Sequence, residues 1–255
     1  MTGTEIIGIG VAGIAAGLIN AVAGGGTLIT FPVLLICGTP PIIANATSTV
    51  ALVVGTSGSL FGYRHQLLPV RQWLLRFIPV SLAGGLLGSV LLTLFPESIF
   101  NRLVPFLMLF ATSLFLAQGV LRRWFLSEVN PTGPKKIFWG AIIFQFWISV
   151  YGGYFGAGIG ILMLATMGLL GLSDIHQMNA LKTILGFGIN LVAALFLAQA
   201  GFVDWGKAGI LCMGATVGYF LGAHYSQKIP QHRVRQLIGL IGIIITLGLF
   251  WQYFG

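Results

Sequence analysis

Residues 6–37 read IIGIGVAGIAAGLINAVAGGGTLITFPVLLIC, 32 positions without a single charge. A helix needs about 20 apolar residues to cross a ~30 Å hydrocarbon core. As one straight helix this stretch would be about 48 Å long at about 1.5 Å per residue. It also carries AGGGT at Ala23–Thr27 and then Pro32, and a glycine cluster frees the backbone from helical restraint. The expected structure is therefore a helix, a break and a second, shorter helix. The second part either runs on through the membrane or folds back as a re-entrant hairpin. Non-helical backbone at membrane depth is tolerated only inside protein or beside a cavity.

The rest of the chain repeats this pattern. The apolar segments are 6–37, 42–61, 73–95, 99–121, 137–172, 178–200, 205–226 and 234–254. Six are one crossing long. The fifth, like the first, is overlong and is interrupted by FGAGIG at Phe155–Gly160. At a fixed offset of 134, Gly24 falls on Gly158, Gly26 on Gly160, Asn45-Ala46 on Asn179-Ala180 and Thr49 on Thr183. Gly84 and Gly88 fall on Gly218 and Gly222, and Pro96 on Pro230. Matches at breaks, helix starts and a loop proline indicate a duplication. The expected fold is an all-α polytopic membrane protein. It forms one integral membrane domain over 1–255, with two homologous four-segment repeats at about 6–121 and 137–254. Each repeat opens with a Gly-broken helix.

Composition agrees. The 255 residues include 13 Lys and Arg and 5 Asp and Glu, so 7% are charged, and 56% are hydrophobic. Mean hydropathy is +0.96. A soluble domain carries about 25% charged residues, which excludes an ordinary soluble enzyme, a nucleic-acid-binding domain and a disordered chain. The net charge of +8 sits in short loops, where it sets orientation instead of binding a polyanion. If each long segment crosses once, Arg64, Arg71, Arg122, Arg123, Lys135, Lys136 and Lys207 share one side. Arg102, Lys228, Arg233 and Arg235 share the other. That count places the first side, with both ends of the chain, in the cytoplasm; folded-back segments would change it. The only early charge is Glu5, so the first apolar stretch is expected to be a retained helix and not a cleaved signal. Trp73, Trp124, Trp139, Trp205 and Trp251 lie near segment ends, as an interfacial belt requires.

The candidate chemistry lies at the two breaks. Gly24, Gly25 and Gly26 precede Thr27 at the start of one short helix, and Gly156, Gly158 and Gly160 accompany the start of the other. A helix N-terminus carries unpaired N–H groups and a positive partial charge. Two such ends converging in a membrane would hold an anion with backbone alone. The plain alternative is that the glycines only permit close helix crossing. Two copies in register, each inside an overlong segment, favour a site. Asn45, Thr47 and Ser48 open the next segment and Asn179 opens its counterpart, as helix caps or as ligands. Lys182 takes the place of Ser48 in the second repeat. A cation inside an apolar helix faces a cavity or a partner, snorkels to the headgroups, or pairs with nearby Asp174. Gly84/Gly88 and Gly218/Gly222 are expected to be helix–helix contacts. Cys37 and Cys212 have the setting of packed thiols, and Asn190 that of an interhelical hydrogen bond. HExxH, CxxC, GxSxG and Walker motifs are all missing, so no catalytic residue, cofactor or metal is expected. Few acids at mid-depth and donors at both breaks favour an anionic substrate over a cation.

The stretch AGLINAVAGGGTLITFPVLLICGTPPIIANATS (Ala16–Ser48), followed by YGGYFGAGIG (Tyr151–Gly160) and NALKT (Asn179–Thr183), resembles the two signatures of the TauE/SafE sulfite exporters. The resemblance spans nearly the whole chain. It implies an inner-membrane secondary carrier of small sulfur-containing anions such as sulfite, thiosulfate and organosulfonates, coupled to the proton gradient. A passive anion channel is the alternative. The first signature covers Gly24, Gly25, Gly26, Asn45, Thr47 and Ser48; the second covers Gly156, Gly158, Gly160, Asn179 and Lys182. The family often has Pro in its second glycine turn, where Ala157 stands here. The partners implied are a small anionic substrate and membrane lipid, with no nucleic acid; association into a homo-oligomer stays open.

Overall fold

The computed structural model describes residues 1–22, 25–62, 70–127, 135–170, 172, 174–225 and 231–254. These form ten helices and, among the described residues, no strand. They are α1 (Gly3–Val22), α2 (Thr27–Ile36), α3 (Pro41–Gly62), α4 (Arg71–Leu94), α5 (Glu97–Ser127), α6 (Lys135–Tyr154), α7 (Ile159–Leu169), α8 (Ile175–Gln199), α9 (Trp205–Tyr225) and α10 (Gln231–Phe254). Both overlong segments are split where the glycines stand. Gly25 adopts φ 93°, and Gly156 and Gly158 both adopt φ 80°, a left-handed backbone that side chains resist. Among the described residues, four stretches are long and apolar enough to cross a membrane: Gly3–Ala21, Arg71–Leu94, Glu97–Val120 and His176–Gln199. Trp139, Trp147, Trp205, Phe220 and Trp251 are exposed, as lipid-facing side chains are.

The segments fold back rather than run on. Along α1, a Cβ on Gly10 would meet Ile210, on Gly13 Leu211, and on Gly17 Ala215 and Tyr219. Both numbers rise together, so α1 and α9 run parallel and begin on one face, here called the near face. The Lys207 ammonium, in the first turn of α9, donates to the Cys37 carbonyl at 3.0 Å and to Thr39 Oγ1 at 2.8 Å. The end of α2 has therefore returned to the face where α1 began. The second hairpin is built the same way from the other side. Gly84 of α4 packs on Phe146 and Ser149 of α6, and Gly88 on Val150 and Tyr154, so these helices also run parallel. The end of α7, through Met167, Leu170 and Leu172, rejoins Val70 and Leu74 at the start of α4 and Ala141 near the start of α6. That is the far face.

Five helices from α1 to α5 match five from α6 to α10 in order, at about the offset seen in the sequence. The halves exchange partners: α1 lies along α9, and α6 along α4. Glycine permits both crossings. A Cβ on Gly88 would meet the Val150 carbonyl, and one on Gly218 the Ile14 carbonyl, so the GxxxG pairs bring backbone against backbone. Antiparallel packing of α10 on α5 (Gly242 on Thr112, Gly239 on Leu116, Phe254 on Phe106) returns the end of α10 to the near face. The seven-against-four charge count assumed single crossings, and the fold-back removes that premise.

Candidate functional site

The first break is held by a short polar chain. The side-chain oxygen of Asn20, near the end of α1, accepts the Gly26 N–H at 2.9 Å. Its amide donates to the Tyr219 hydroxyl at 2.7 Å, and Tyr219 in turn lies 2.7 Å from Thr56 Oγ1. Thr56 donates to the Leu52 carbonyl, which leaves its oxygen to accept from Tyr219. Three helices, α1, α3 and α9, are thereby tied to one glycine. Gly55 makes room for the Tyr219 ring, because a Cβ there would stand 2.7 Å from it.

The second break is held by Tyr151. Its carbonyl accepts from both Phe155 and Gly156 N–H, and its hydroxyl donates to the Ala157 carbonyl at 2.8 Å. Gly158 is the N-cap of α7 and offers no side chain to that helix end. The first N–H groups of α7 thus have no acceptor one turn earlier in a helix. Both breaks rest on the same part of α5: Gly25 faces Phe115, and Gly158 faces Ala111 and Leu114.

Between the breaks lies a cavity of about 160 Å³. Gly25 and Thr27 line it from the first hairpin, Gly156, Gly158 and Gly160 from the second, and Lys182 from α8. Lys182 reaches it across Gly160, where a Cβ would stand 3.2 Å from the lysine Cδ. Asp174 does not pair with it. That carboxylate caps α8, accepting from the His176 N–H at 2.8 Å. Asn20, Thr56, Gln118, Thr183, Asn190 and Tyr219 complete the polar lining. The Gln118 side-chain oxygen is buried without a hydrogen-bond partner. Among the described residues no group of three or more His, Cys, Asp or Glu is arranged to hold a metal.

The other sequence candidates stand elsewhere. Gly26 adjoins the cavity, but its N–H is taken by Asn20. Asn45 is buried and donates to the Tyr154 carbonyl at 3.0 Å. Thr47 Oγ1 accepts the Asp204 N–H at 3.1 Å, and Ser48 is hydrogen-bonded to Thr30. Asn179 is half-buried and is not part of the cavity wall. Gly24 lies outside the described residues.

Asn20, Thr56, Gln118, Thr183 and Tyr219 were not singled out from the sequence as site residues. Two of them leave a trace there. Asn20 is the one amide in the 6–37 stretch, and Thr56 falls on Asn190 at the 134-residue offset. Tyr219 leaves none, since its place depends on α9 crossing to the other half.

The chain matches the family described as sulfite exporter TauE/SafE over residues 9–249. It belongs to the TauE/SafE family. Among its relatives is a probable membrane transporter protein of Haemophilus influenzae, 29% identical, covering 92% of this chain and 90% of the relative. Another is the probable membrane transporter protein ORF9 of Sinorhizobium, 29% identical over 94% of this chain and 88% of its own length. The probable membrane transporter protein YfcA of Escherichia coli is 22% identical over 94% and 87%. No solved structure matches. TauE/SafE membership and the apolar helices make this an integral membrane protein of a transporter family.

Proposed function

We propose that this TauE/SafE protein is a secondary carrier that moves small sulfur-containing oxyanions, such as sulfite or a sulfonate, across the inner membrane. The observation that carries this proposal is the convergence of both glycine breaks and Lys182 on one cavity. The ammonium and the start of α7 supply positive potential, while Thr27 and Asn190 supply polar contacts. An anion there replaces water with fixed dipoles and one cation, which suits a small oxyanion. Lys182 and Tyr219 are the titratable side chains in the lining. A coupled proton would then travel on Lys182 or on the anion itself.

The fold-back also supports an orientation. Arg71, Arg122, Arg123, Lys135, Lys136, Arg233 and Arg235 fall at far-face ends of the described helices, against Arg102 and Lys207 at the near face. Seven against two among the described residues assigns the far face to the cytoplasm, with the start of α1 and the end of α10 outside.

Counterflow in proteoliposomes tests the carrier. Vesicles preloaded with unlabelled sulfite should transiently accumulate labelled sulfite above equilibrium, because a carrier exchanges one bound anion for another. Simple equilibration without overshoot would indicate the channel alternative. No movement of sulfite, thiosulfate or sulfoacetate would overturn the cargo class.

A further inference from the structure

The two halves repeat in order, yet the two sides of the cavity are built differently. Toward the far face the lining includes Asn20 and Ala21 at the end of α1, and Lys182 and Thr183 early in α8. At the offset of 134 these correspond to Tyr154, Phe155, Ser48 and Thr49, near the start of α3 and the end of α6. None of these four mirrored residues is part of the cavity wall. Asn45 and Phe155 are 1% exposed and Ser48 is fully buried. Phe31 meets Phe155 edge-on with centroids 5.3 Å apart, and Phe100 meets Tyr154 at 5.7 Å and Phe155 at 6.5 Å. The mirrored positions of these four aromatics are Ala165, Val234, Asn20 and Ala21. The near side is thus plugged by large rings where the far side has smaller residues.

One polar contact spans the plug. Asn45 of α3 donates to the carbonyl of Tyr154, the last residue of α6 before its break. It joins the first half to the second hairpin. The Asn45 side-chain oxygen is buried without a partner, so the closed arrangement leaves one acceptor unsatisfied. A buried acceptor left unpaired makes the closed arrangement costly at this point. The counterpart Asn179 is only half-buried and borders neither plug nor cavity wall.

Resting on the carrier function above, we infer that Asn45 is a positioning residue that latches a near-face gate made of Phe31, Phe100, Tyr154 and Phe155. The structure is then the state with its cavity turned toward the Lys/Arg-rich far face. Release of the Asn45–Tyr154 contact lets α3 and the second hairpin separate. Ser48, the counterpart of Lys182, then reaches the cavity from the near side.

Sided thiol labelling tests this in proteoliposomes. Cys37 and Cys212 are first replaced by Ser. Single cysteines are then introduced as Ser48→Cys or Thr183→Cys, with a membrane-impermeant maleimide added to one face at a time. Thr183→Cys should label from the far face and Ser48→Cys from neither. Adding Asn45→Ala should raise near-face labelling of Ser48→Cys by about tenfold and lower far-face labelling of Thr183→Cys. Phe100→Ala, which thins the plug without altering Asn45, should act in the same direction and serves if Asn45→Ala does not fold. Near-face labelling of Ser48→Cys with Asn45 intact would overturn the inference, as would labelling indifferent to both substitutions. Labelled sulfite is followed in the same vesicles. Sulfite movement with unaltered labelling discards the gate and keeps the carrier. Gated labelling without sulfite movement discards the cargo and keeps the gate.

Discussion

Lys182 is the residue on which the proposed site depends. Among the described residues its ammonium has no hydrogen-bond or ion-pair partner, and its stem lies over Gly160. An unpaired cation among apolar helices is costly and is retained where it faces a ligand or water. Gly160→Ala should therefore disturb the site without removing any polar group. The new methyl would press on the lysine stem, and sulfite uptake should show KM raised by about three- to tenfold, since overpacking by one methyl costs about 1 kcal/mol or more. Tyr219→Phe acts differently. It removes the hydroxyl that joins Asn20 to Thr56 and should destabilise the protein by about 1–3 kcal/mol, read as a lower midpoint in thermal melting in detergent. Lys182 was legible in the sequence because a charge inside an apolar run is conspicuous. Tyr219 was not, because nothing local to α9 says that its ring enters the other half's first break.

At the scale of helices, the glycine breaks were visible because two independent cues coincide. Each segment is longer than the membrane requires, and each has clustered glycines in the middle. Whether the second part continues or returns was beyond the sequence. Either path leaves the same apolar pattern, and the choice is made by contacts such as Lys207 to the Cys37 carbonyl, 170 residues apart in the chain. The same exchange of partners explains the GxxxG pairs. Gly88→Leu or Gly218→Leu would place a side chain where a backbone carbonyl of α6 or α1 now sits. Each should destabilise the fold by about 1–3 kcal/mol or more, seen as loss of monodisperse protein on size-exclusion chromatography. Gly209, which has nothing within 4 Å of an added Cβ, should accept Ala with the profile unchanged.

At the scale of the whole molecule, fold-back changes which loops share a side. Two hairpins that enter from opposite faces put Lys207 and Arg102 on one side and the other cations at the ends of the described helices on the opposite side. A reporter fused after residue 255 should consequently report the outer side: alkaline phosphatase active, green fluorescent protein dark. The reverse pair of signals would return both ends of the chain to the cytoplasm. The asymmetry between the large rings of the near side and the smaller residues of the far side also belongs to this scale. It arises because the halves share glycines and helix order but differ in bulk at Ala21 and Phe155.

Equilibrium binding of labelled sulfite to the purified protein decides whether the cavity between the breaks holds the anion. Wild type should bind one sulfite per chain saturably. Lys182→Ala should weaken binding by about 10- to 100-fold, the loss of about 1.5–3 kcal/mol expected for a charge-assisted contact. Equal affinity in wild type and a well-folded Lys182→Ala would contradict it, and the cavity between the breaks would not be where the anion is held.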